Sequence, residues 1–206
     1  MNPLATRGGT VILGILLAIL ATFALNGGGF HLNGLEITVW IHVIVGIAWV
    51  GLLFYFNAVQ IPAVGQALAD GDAGPGPAAI NKYVAPRALF WFRWAAVLTW
   101  LTGVSALGQL GDGHQAIHAA FTFNNFTFSG NLAWLGMGAW LGTIMLLNVW
   151  GLIWPNQKKI LGIKPATPEE IVKAKTIALM ASRVNTALAF PMLLGMTAYG
   201  HGVLLF

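Results

Sequence analysis

Apolar stretches long enough to cross a bilayer recur five times along the chain, at about residues 10–28, 36–61, 88–110, 131–154 and 179–204, with short polar or glycine- and proline-rich segments between them. A spanning helix needs roughly 20 predominantly apolar residues to cross a hydrocarbon core about 30 Å thick. The pattern therefore predicts an all-α integral membrane protein of five transmembrane helices, folded as a single polytopic membrane domain over residues 1–206. In the first window Arg7 precedes the apolar run, which ends in NGGGF without a small-residue cleavage pattern. It is expected to be a retained helix and not a secretory signal.

The segments between the windows carry their own signals. Asp70 to Pro77 reads as a turn-rich connection inside a loop over 63–87. In KPATPEEIVKAK, Thr167 is an N-cap, Pro168 fits the first helical position and Glu170 completes a capping box, so a helix is expected to start at 168 and run into the fifth span, with Pro191 kinking it. In the outer segment GDGHQAIHAAFTFNNFTFSG, His114 to Ala120 suits a short helix, and the alternation of FTFNNFTF suits a hairpin. Its phenylalanines form either an interfacial lid or partner contact, or a cover over a cofactor channel. One internal echo is visible: AWVGLLFYFN from Ala48 and AWLGTIMLLN from Ala139 share Ala, Trp, Gly and Asn at the same spacing, which predicts a parallel repeat of helix pairs 2/3 and 4/5. The position matching His42 in the second copy is Ala133.

Composition narrows the class. With 57% hydrophobic and 8% charged residues the chain lies outside the soluble range. The absence of cysteine excludes disulfides, a Cys-ligated iron–sulfur cluster and a c-type haem attached through C-x-x-C-H. Alternating five helices places all ten basic residues on one face, from Arg7 through Lys82, Arg87 and Arg93 to Lys158, Lys159, Lys164, Lys173, Lys175 and Arg183. By the positive-inside rule that face is cytoplasmic, with the N-terminus cytoplasmic and the C-terminus outside. The basic residues form no stripe interleaved with aromatics, so no nucleic-acid partner is expected.

The five histidines sort to the outer half: His31, His42, His114, His118 and His201. His42 is the unusual one, about six residues or roughly 9 Å into the second span. An ionisable ring at that depth is a functional-site candidate by default. Three roles are open for it: a haem ligand, an interfacial histidine bonded to a neighbouring helix or water, or a group in proton or substrate chemistry. Gly46 and Trp49 follow on the same helical face, where they would accept a flat macrocycle and pack on its edge. His201, at the same outer depth, is the candidate second axial ligand, and the i, i+4 pair His114 and His118 is a weaker metal candidate. Asn57, Gln60 and Asn148 near the inner ends suit interhelical hydrogen bonds, and Arg93 in FWFRW suits snorkelling to the inner interface among aromatics.

These residues also carry a resemblance. WIHVIVGIAWVG with FYF, then WFRWAAVLTWLTG, GTIMLLNVWGLIWPNQKKI and ASRVNTALAFPMLL, resemble the membrane domain of the PuuD-type urate oxidases, the urate oxidase N-terminal domain family. The helix-four ending WPNQKK is its most specific piece, and His42 matches the family's helix-two histidine. The resemblance implies a bacterial inner (cytoplasmic) membrane protein that oxidises urate and passes electrons to a cytochrome. A broader likeness to HemJ-type protoporphyrinogen oxidases implies haem b on the matching histidine. The family pattern carries further histidines where this chain has Gly136 and Val184, and a cytochrome c part absent from this sequence, so a shortened relative is expected. The expected function is a membrane redox-type subunit that binds haem b near the outer face and transfers electrons to a separate partner. The alternative is a non-catalytic accessory subunit held among other membrane-protein subunits and lipid.

Overall fold

The computed structural model describes residues 2–27 and 32–202 and is helical throughout, with no strand among the described residues. His31 lies outside them. The chain divides into two units, Met1–Gly34 and Leu35–Phe206. The first contains helix α1 (Arg7–Leu25), capped by Thr6, whose hydroxyl accepts from the Gly9 N–H at 3.0 Å. Its residues are apolar on every side, as a helix facing lipid requires.

The second unit begins with α2 (Gly34–Tyr55), which continues through a π-turn at Phe56–Gln60 into α3 (Ile61–Ala69). Helix α4 (Ala85–Leu107) follows a π-turn at Ile80–Val84. The outer segment forms α5 (His114–Phe121) and the short turn α6 (Phe123–Phe126). Helix α7 (Asn131–Asn148) passes through a π-turn at Val149–Ile153 into α8 (Trp154–Ile160), and α9 runs over Pro168–His201. Four helical stretches among the described residues are long and apolar enough to cross a membrane: Arg7–Leu25, Gly34–Ala69, Asn131–Ile160 and Pro168–His201. Helix α4 occupies the third window, but Arg87, Arg93 and three tryptophans dilute its apolar character.

Each π-turn is followed at the second residue by proline: Pro62, Pro86 and Pro155. Proline lacks an N–H, and its ring crowds the carbonyl four residues back. A widened turn with i to i+5 bonding relieves that crowding and lets the helix continue. The three bonds run from Ile61 N–H to the Phe56 carbonyl, from Ala85 to Ile80 and from Trp154 to Val149. This is why the second span reaches Ala69, and why the expected loop over 63–87 is largely helical.

The capping box is present as expected. Thr167 Oγ1 accepts from Glu170 N–H and Glu170 Oε2 accepts from Thr167 N–H, both at 3.2 Å, and α9 runs unbroken from Pro168 past Pro191. The hairpin expected at FTFNNFTF is not there. Phe123, Asn124, Asn125 and Phe126 all take positive φ, from 51° to 62°, and form a left-handed turn closed by Phe126 N–H to the Thr122 carbonyl at 2.7 Å. Such a conformation costs about 1–2 kcal/mol per residue. Stacking of Phe123 on Phe128, with centroids 5.3 Å apart, and Thr122 capping Asn125 N–H at 3.0 Å offset part of it.

The core of the second unit lies between α2, α4, α7 and α9, with Trp49, Leu53, Phe92, Met145 and Val149 almost fully buried. Small residues bring α7 and α9 together. A Cβ on Gly195 would stand 2.6 Å from the Trp134 carbonyl oxygen and 2.7 Å from Gly138 N. Gly136 performs the same role against α5, where a Cβ would collide with the Ala120 carbonyl. Close approach of backbones through glycine is how membrane helices gain packing energy.

Candidate functional site

His42, the ninth residue of α2, turns its ring onto α4. Its Nδ1 lies 2.8 Å from the Thr99 carbonyl oxygen and 3.1 Å from Thr102 Oγ1. A carbonyl can only accept, so Nδ1 carries the proton, and Thr102 Oγ1 in turn donates to the Leu98 carbonyl at 2.7 Å. The neutral ring then has its lone pair on Nε2, which bonds to nothing among the described residues. The ring rests on Gly103, where a Cβ would stand 3.0 Å from His42 Cε1 and 3.3 Å from Nδ1. An imidazole held this way through Nδ1–H is oriented as metal-ligating histidines are, with the basic nitrogen left for the metal.

Thr99, Thr102 and Gly103 are the partners that sequence reading missed. Their signal was present in TWLTG, residues 99–103: three small residues at i, i+3 and i+4 on the helix antiparallel to α2.

The rest of the expected haem face is occupied by protein. A Cβ on Gly46 would stand 3.7 Å from the Thr99 methyl, so α4 fills the space beside it. Trp49 is 2% exposed and belongs to the core. The nitrogen chemistry of His42 thus fits an axial ligand, whereas Gly46 and Trp49 serve the α2–α4 contact. His201 lies exposed at the end of α9, and its Nδ1 sits 3.3 Å from the Thr197 carbonyl of its own helix, so no shared contact joins it to His42.

His114 and His118 are exposed on α5 and line an open depression of about 730 Å³ together with Asp112, Asn124, Asn125 and Tyr199. Among the described residues no group of three or more His, Cys, Asp or Glu side chains is placed to hold a metal ion.

A second polar cluster ties α9 to the repeated asparagines. Asn57 donates to Ser182 Oγ at 2.8 Å, and Asn148 donates to Asn185 Oδ1 at 2.7 Å and to the Ala181 carbonyl at 2.9 Å. Asn185, fully buried, donates in turn to the Met145 carbonyl at 3.1 Å. Both copies of the echoed motif therefore end on the same stretch of α9. Gln60, expected to join them, keeps a buried Oε1 without a partner.

Neither a curated protein nor a solved structure matches the chain. A family model described as urate oxidase N-terminal matches residues 31–110 and 113–205, which takes in His42, its partners on α4 and the Asn57–Ser182 and Asn148–Asn185 pairs. With nearly all of its second unit so matched, the chain belongs to the urate oxidase N-terminal family.

Proposed function

We propose that this chain is a redox-type subunit of the bacterial inner membrane in which His42 Nε2 ligates haem b near the outer face and electrons pass to a separate partner. The observation that carries the proposal is the bond from His42 Nδ1 to the Thr99 carbonyl at 2.8 Å, because it selects the tautomer whose free lone pair is on Nε2. Five helices cross the membrane in this reading, α4 among them, with the N-terminus cytoplasmic and the C-terminus outside. The haem, when bound, supplies a one-electron couple at that end of the membrane. The protein's part is to hold the ring: Gly103 beneath it, Thr99 at Nδ1, and α4 against Gly46 to keep α2 in register.

The test is a reduced-minus-oxidised spectrum and a pyridine haemochrome assay on purified wild-type protein beside His42→Ala. A b-type spectrum lost in the variant supports ligation; a colourless wild type purified without stripping haem removes it. Urate-dependent reduction of an added acceptor by haem-loaded protein would extend the reading to the reaction that the family name suggests.

The filled face at Gly46 and Trp49 favours a second reading, an accessory subunit that retains the family fold and packs within a larger membrane complex. That reading predicts colourless protein that co-purifies at fixed stoichiometry with other subunits.

A further inference from the structure

Two cations meet at one indole, that of Trp154. The guanidinium carbon of Arg93, in α4, stands 3.5 Å from the centre of the Trp154 ring and 5.9 Å from that of Trp150. Lys158 Nζ, one turn along α8, stands 5.9 Å from the same Trp154 ring. Neither cation has an anionic partner among the described residues. The ion pair found among the described residues joins Lys159 to Glu170, and neither Arg93 nor Lys158 donates a hydrogen bond there. Arg93 Nε is buried with no hydrogen-bond partner among the described residues. A guanidinium has five N–H donors, and stacking on an indole satisfies none of them.

The position is suited to an anion from the membrane itself. Trp154 and Lys158 fall near the end of the helical stretch Asn131–Ile160, where tryptophan and lysine mark the headgroup level of a spanning helix. Trp94 packs edge-on to Trp150 with centroids 5.6 Å apart, and Trp94 and Leu98 are exposed one turn apart on α4. Both are apolar side chains open to acyl chains beside the cations.

We propose that Arg93 and Lys158, beside Trp154, form a binding site between α4 and α8 for a phosphate group of the kind carried by an anionic lipid. The arginine fork matches two phosphate oxygens and the lysine adds a point charge. Basic pockets between membrane helices recognise acidic headgroups in this way. Free inorganic phosphate offers the same oxygens without acyl chains. The site is independent of whether His42 carries haem.

The experiment is native mass spectrometry of the full chain in neutral detergent, titrated with phosphatidylglycerol and with phosphatidylcholine of the same acyl chains. Wild type should retain the anionic lipid roughly tenfold more tightly, a difference of about 1.4 kcal/mol. Arg93→Gln should abolish that preference and Lys158→Gln should reduce it several-fold, while Arg93→Lys should keep part of it. Challenge with excess inorganic phosphate separates the sources: displacement of the lipid makes a free anion the preferred occupant, and retention makes it the lipid, each in support of a phosphate site. Equal binding of the two lipids by wild type would overturn the proposal, as would a preference left undiminished in Lys158→Gln. Should Arg93→Gln fail to purify as a single species, Lys158→Gln at the helix end carries the test.

Discussion

His42 and Thr99 are joined at 2.8 Å through a ring nitrogen and a backbone carbonyl, 57 residues apart in sequence. A backbone acceptor cannot be removed by substitution at Thr99, so the contact is best probed from the other side of the ring. Gly103→Ala would place a methyl 3.0 Å from His42 Cε1 and force the ring or α4 to shift. Overpacking of this kind costs about 1–3 kcal/mol. The expected outcome is lower haem content or an altered Soret band, with some loss of thermal stability. Unchanged spectra and unchanged stability together would sink the assignment of Gly103 as the floor of the site.

The α7–α9 contact sets a sharper stability prediction. Gly195→Ala meets backbone atoms of α7 at 2.6 and 2.7 Å, which cannot rotate away as a side chain can. A loss at or above the upper end of about 1–3 kcal/mol is expected in denaturant or detergent titration. Gly51→Ala, with nothing within 4 Å, is the control, and should be neutral or stabilise by about 0.5–1 kcal/mol through backbone entropy.

Removing Asn185 strips an acceptor from Asn148 and a donor from the Met145 carbonyl in a fully buried setting. Asn185→Ala should cost about 1–3 kcal/mol. Asn57→Ala, which loses one cross-helix bond to Ser182 at a half-buried position, should stay nearer the membrane average of about 0.6 kcal/mol. A double-mutant cycle on Asn148 and Asn185 should show coupling, and strict additivity would argue against the network.

Outside the membrane, the start of α9 should respond to acid. Glu170 is held below the usual carboxylate range, first by the backbone N–H of Thr167 and then by Lys159. A depressed folded-state value means that its contribution is fully present above the unfolded value, about 4.3, and is lost as pH falls through the folded one. Protection of the amide hydrogens over residues 168–175, taken against the intrinsic exchange rate at each pH, should therefore fall on acidification in the wild type. Glu170→Gln, which keeps a capping oxygen but no charge, should flatten that dependence; an identical pH response would remove Glu170 as its source.

Much of this was legible in the sequence where the cause is local. The start of α9 could be read from Thr167, Pro168 and Glu170 because a cap satisfies N–H groups within three residues of itself. The echoed Asn57 and Asn148 were readable as cross-helix donors because an amide among apolar residues must find a partner. Arg93 was readable as a cation among aromatic rings because its four neighbours in FWFRW are aromatic, and it stacks on Trp154.

Other features were settled only in three dimensions. The alternation in FTFNNFTF suits a strand, but there is no strand among the described residues, and the segment instead winds into a left-handed turn held by Phe123, Phe128 and Thr122. Proline at 62 looks like a helix end, yet a π-turn absorbs it and the helix continues to Ala69. Gly136 reads as one glycine among many until the Ala120 carbonyl is found where its side chain would be.

Hydropathy and capping thus determined by themselves that this chain is built of helices apolar enough for a membrane, and where most of those helices lie, because both act over a few neighbouring residues. Which faces meet, and so that His42 turns to Thr99 while Gly46 and Trp49 are filled by protein, was decided by tertiary packing. There the outcome depends on how closely backbones distant in sequence approach, and that distance is set by small residues on both helices at once.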